Sequence, residues 1–115
     1  MNERQRNAFE DEVLLARLLI ARVRLPKAFA HLERAHILGQ KSVRAHVLVH
    51  WLMLRVEFSK RNFAAVWGQA VRILLGAIGS AIGVVPVGNT GGTDISMFKR
   101  LPIDPVLAKL MADDF

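Results

Sequence analysis

The 115-residue chain contains no cysteine. That excludes disulfide staples, thiolate metal sites and cysteine nucleophiles, and it fits a reducing interior. Proline and glycine are sparse, at four and eight residues, so neither a fibrous repeat nor a disordered linker is indicated. Long apolar runs are also missing. The longest, Ile73 to Val87, "ILLGAIGSAIGVVPV", carries Pro86 and falls short of the roughly 20 apolar residues that a membrane span needs. The opening "MNERQRNAFEDE" has charge but no apolar core of a secretory signal. A cytoplasmic protein without a transmembrane segment is the expectation.

What is present suffices for a folded core. Hydrophobic residues make up 52% of the chain and charged residues 23%, and a domain of this length buries roughly two-thirds of its extended-chain surface. One domain over residues 1–115 is expected. The net charge is +6, divided unevenly: residues 1–72 carry +7 and residues 73–115 carry −1. This balance favours an anionic or protein partner. The basic residues are scattered singly without aromatic interleaving, which argues against nucleic acid.

Apolar spacing predicts four helices. The first runs from Phe9 to Arg24, with acidic residues in its first turn. Leu25-Pro26 breaks it, and Pro26 opens a second helix that reaches Leu38 and stops at Gly39 as a C-terminal glycine cap. Ser42 caps a third helix to about Glu57, and Asn62 caps a fourth over residues 63–82. Positions 34 apart match, Leu14 with Leu48, Leu18 with Leu52 and Phe29 with Phe63. The chain therefore reads as two copies of one antiparallel hairpin over residues 8–82. That period, and "AFAHLERAHILG" in particular, resembles the tetratricopeptide hairpin. The fold class is all-α: two tetratricopeptide-like hairpins forming a four-helix bundle, then a Gly-rich loop and a short helix from Pro105, capped by Asp104, within an ordered segment 83–115 packed back on the hairpins.

In the fourth helix, Gly76, Gly79, Ser80 and Gly83 recur at steps of three and four, a stripe of small residues on one face. Glycine inside a helix costs about 1 kcal/mol against alanine, so the stripe calls for close packing. Another segment of the same chain or a homodimer partner would supply it. In the loop, Gly88, Asn89, Thr90, Gly91 and Gly92 lack the Lys-Ser/Thr of a phosphate-binding loop and follow a helix instead of a strand. They read as a structural loop, with glycines permitting positive φ and Asn89 and Thr90 capping backbone groups.

Four strings together resemble a family of small bacterial proteins of unknown function: "LERAHILGQ" at 32–40, "HVLVH" at 46–50, "GQAVR" at 68–72 and "VPVGNTGG" at 85–92. The resemblance covers about residues 8–112. It implies a bacterial, helical, single-domain protein and brings no activity, cofactor or catalytic residue.

All four histidines fall between residues 31 and 50. A hairpin of the second and third helices centred near Gln40 and Lys41 places His31 level with His50 and His36 level with His46. His46 and His50, four apart, share a stripe with Met53 and Glu57, a spacing that can hold a transition metal. His36 faces the core, while His31 lies about 140° away on its flank. The candidate ligands are His36, His46, His50, His31 and Glu57, and imidazole-rich sites suit Zn, Cu, Ni or Fe. Coordination needs neutral imidazole, so uptake should fall as pH drops through about 6.5. The competing reading has His36 and His46 buried and neutral, bonded to backbone, Glu33, Gln40 or Gln69. No Ser-His-Asp order or HExxH string is present, so no catalytic residue is assigned.

Function is ordered accordingly: a small helical binding or interaction protein first, a histidine-based metal protein second, an enzyme third. The space between the second and third helices discriminates the first two. An interaction module has an apolar seam there, a metal protein an imidazole cluster.

Overall fold

The structure, a computed structural model, describes residues 1–112. Among them are five helices: α1 Glu3–Ala21, α2 Leu25–Gly39, α3 Val43–Ser59, α4 Phe63–Ile82 and α5 Pro105–Leu110. No strand occurs among the described residues. The expected caps are in place: Ser42, Asn62 and Asp104 each accept from a backbone N–H of the following turn, satisfying donors that the helix itself leaves free.

Two boundaries differ from the sequence reading. α1 begins at Glu3, six residues earlier than its apolar spacing indicates, because the Asn2 side chain accepts from the Gln5 N–H at 2.7 Å. It ends at Ala21, and the chain turns through Val23 at φ 57°. Gly39 is the last residue of α2, and Gln40 continues in right-handed conformation, so Gly39 is no left-handed cap. Its role is close approach: a Cβ there would stand 2.7 Å from the Phe9 ring and 2.8 Å from the Ala45 Cβ.

The helices pack in chain order, α1 with α2 and α3 with α4 as hairpins, and α2 with α3 between them. Phe9, Val13, Leu32, Leu38, Leu52, Met53 and Val56 form the core, and Leu107 and Met111 of the tail join it. α5 sits against α1 and α2, and the Asn2 amide reaches the Leu110 carbonyl at 3.0 Å. The tail is thus folded back on the helices.

α4 differs from the other long helices. Its buried residues are Ala65, Gln69 and Ser80, whereas Trp67, Leu74, Ile78 and Ile82 are exposed. Counted from Phe63, it has 20 residues and mean hydropathy 1.4, long and apolar enough to cross a membrane. The apolar run from Ile73 alone is too short for such a span; the residues from Phe63 onward supply the length. The inner face of α4 is polar because it covers a polar cluster between α2 and α3.

Candidate metal centre

The space between α2 and α3 holds an imidazole cluster. His36 on α2 meets His46 and His50 on α3, with His36 Nε2 3.0 Å from each of their Nε2 atoms. The ring centroids are 4.7, 4.7 and 4.8 Å apart, and all three residues are buried. The geometry follows from the helix repeat. His46 and His50 are one turn apart on one stripe, so a residue opposite and between them touches both.

The outer ring nitrogens explain the arrangement. His36 Nδ1 is 2.6 Å from the Asn89 carbonyl, and a carbonyl only accepts, so this nitrogen carries the proton. His50 Nδ1 is 2.6 Å from Gln69 Oε1. The Gln69 amide nitrogen donates to the Gly91 carbonyl at 3.1 Å, which fixes the amide's orientation and makes Oε1 the acceptor. His46 Nδ1 is 2.5 Å from Ser80 Oγ. That hydroxyl donates to the Gln40 carbonyl at 2.7 Å, leaving a lone pair for the imidazole N–H. All three neutral rings are therefore Nδ1-H tautomers. Their three Nε2 lone pairs converge on one point with no proton between them, an arrangement that a cation relieves.

Burial disfavours a bare proton there. It holds His36 well below the ordinary histidine value, reinforced by His50 and His46 and opposed by the Asn89 carbonyl. Burial likewise brings His46 down to about 4 against the Gly76 carbonyl, and His50 to about 4 against its bond to Gln69. Neutral imidazole is the metal-binding form. Tetrahedral zinc with Zn–N of about 2.0–2.1 Å sets ligand nitrogens about 3.4 Å apart. The 3.0 Å separations need only a few tenths of an ångström of opening. Among the described residues, these three form a group of metal-ligating side chains close enough together to hold one ion.

His31 and Glu57 stand elsewhere. His31 Nδ1 is 2.6 Å from Glu12 Oε2 on α1, and Arg34 holds the other oxygen of Glu12 at 2.9 Å. The 140° step from His36 turns it toward the first hairpin, so the expected level pairing with His50 does not form. Glu57 lies seven residues beyond His50, about 10 Å along the helix, where its nearest cation is Lys60 at 3.8 Å.

The supporting shell was only partly legible. Gln69 and Gln40 are expected as partners of buried histidines, but Ser80 and Gly76 read as packing residues and the Gly-rich loop as structural only. In fact Gly76 makes room for His46, whose ring carbons a Cβ would approach to 2.9 Å, and Gly79 does the same for the Val84 carbonyl at 2.6 Å. Asn89 is buried, its amide donating to the Ser96 and Lys99 carbonyls and its oxygen accepting from the Gly91 N–H. Gly91, at φ 86°, passes so close to His36 that a Cβ would fall 2.5 Å from the ring. "LERAHILGQ", "HVLVH", "GQAVR" and "VPVGNTGG" therefore meet at this one cluster.

Residues 3–111 match the family described as protein of unknown function DUF3703. The chain belongs to that family. No curated protein and no solved structure matches this DUF3703 chain.

Proposed function

We propose that this DUF3703 protein binds a divalent transition metal on Nε2 of His36, His46 and His50. The observation that carries the reading is the set of three Nδ1–H bonds to oxygen acceptors, which aims all three lone pairs at one point. Metal-ligating histidines are characteristically oriented this way by their other nitrogen. The donor set is all nitrogen, which suits Zn, Cu, Ni or Fe. The seam between α2 and α3 carries an imidazole cluster beside its apolar core, which favours a metal protein over a plain interaction module.

The test is metal uptake by untagged protein, with and without the double substitution His46→Ala, His50→Ala. The wild type takes up one ion per chain; the variant takes up none and keeps its helix content by circular dichroism. A wild type that takes up no Zn, Cu, Ni or Fe sinks the reading. A second reading, an interaction module, draws on the exposed apolar side chains of α4 and on the net charge of +6.

A further inference from the structure

A cavity of about 460 Å³ opens directly on the imidazole cluster, and His36, His46 and His50 all line it. The remaining wall is mostly apolar: Leu75, Ile78 and Ile82 of α4 on one side, Met97 and Phe98 of the tail on the other. Several of these are among the most exposed large hydrophobic residues of the molecule, Ile82 at 69% and Phe98 at 74%. Part of the exposed apolar face of α4, at Leu75, Ile78 and Ile82, thus borders the mouth of the histidine site. Among the described residues the charged wall positions are Arg72 and Arg100, and none is a carboxylate. Arg72 is anchored on the Gly68 and Ile95 carbonyls, while its Nε is buried without a hydrogen-bond partner among the described residues. Asp94 is the carboxylate that acts on Arg72, from outside the cavity.

Three neutral imidazoles leave a divalent ion with its full charge and with a coordination position to spare. That position faces a cavity of ordinary ligand size with a cationic, otherwise apolar wall. We infer that the fourth metal position takes the carboxylate of a small anion with an apolar body, whose oxygen coordinates the ion while its tail lies between α4 and the Met97–Phe98 segment. The inference rests on the metal reading above. Charge selects the head group, since an anion neutralises a site with no carboxylate among its described lining residues. Apolar burial selects the tail.

Cobalt(II) reports both steps through its visible spectrum. Protein loaded with one cobalt ion is titrated with acetate, octanoate and octylamine, and so is the variant Ile78→Glu, which alters an exposed wall position and no proposed ligand. Octanoate should change the spectrum at a concentration at least tenfold below acetate, octylamine should not change it, and Ile78→Glu should keep cobalt uptake but lose the preference for octanoate. Failure of cobalt to bind contradicts the metal reading and this one with it. Uptake followed by no response to octanoate, by equal responses to acetate and octanoate, or by an equal response to octylamine overturns this inference alone. So does a dimer by sedimentation in which a second copy fills the cavity.

Discussion

Each cluster histidine does two jobs through two nitrogens, one held by an oxygen acceptor and one free to coordinate. The same geometry fixes the pH behaviour of the metal-free protein. His46 and His50 are at about 4 in the folded chain and near 6.5 when unfolded. Between those values the unfolded chain binds more protons, so stability rises with pH across the window from 4 to 6.5 and falls as pH drops through it. The scale is on the order of 3 kcal/mol for each histidine. Chemical denaturation at pH 7 and pH 4.5 should show this loss, and His46→Ala, His50→Ala should flatten it. The same depression moves metal release below the 6.5 expected for ordinary histidines. Uptake should persist at pH 6 and be lost toward pH 4, as proton competition in a buffered titration will show. Replacing Gln69 by Leu frees His50 Nδ1 from its acceptor and should weaken metal binding about 10- to 100-fold with little change in helix content.

At the level of elements, α2 and α3 carry the ligands, while α4 and the Gly-rich loop hold them in place. Gly91 illustrates the loop's part. Alanine there would have to adopt φ 86° and push into His36, costing about 1–2 kcal/mol for the backbone alone and displacing a proposed ligand. Gly91→Ala should therefore lower both the melting temperature and metal affinity, whereas Gly83→Ala, at φ 78° but facing open space, should lower only the first. These elements were largely readable because caps and breaks are local. Ser42, Asn62, Asp104 and Pro26 announce helix ends through their own side chains, and His46 and His50 announce a shared stripe by spacing. The Asn89 carbonyl was not readable, because a backbone acceptor 53 residues from His36 leaves no mark on composition or period. Nor was the exposure of Leu18, at 51% against 0% for its repeat partner Leu52. The 34-residue repeat gives the two leucines equivalent positions, but α1 lies on the outside of the packing and α3 in its middle.

For the molecule as a whole, the apolar core and the polar cluster share α2 and α3. Removing residues 86–115 takes Leu107 and Met111 from the core and the Asn89 carbonyl from His36. At about 1.5–3 kcal/mol for each buried large side chain, the truncated chain should lose several kcal/mol of stability without metal, and added zinc should raise its melting temperature less than that of the intact chain. In the intact chain, zinc at 100 times its Kd should contribute about 2.7 kcal/mol.

The central claim is that three imidazole nitrogens converge on one ion. X-ray absorption at the zinc edge of the zinc-loaded protein tests it most directly. The account predicts three imidazole nitrogens at about 2.0–2.1 Å in the wild type and no bound zinc to measure in His46→Ala, His50→Ala. A first shell made of oxygen alone, or zinc retained by that double variant with the wild-type imidazole count, would contradict it.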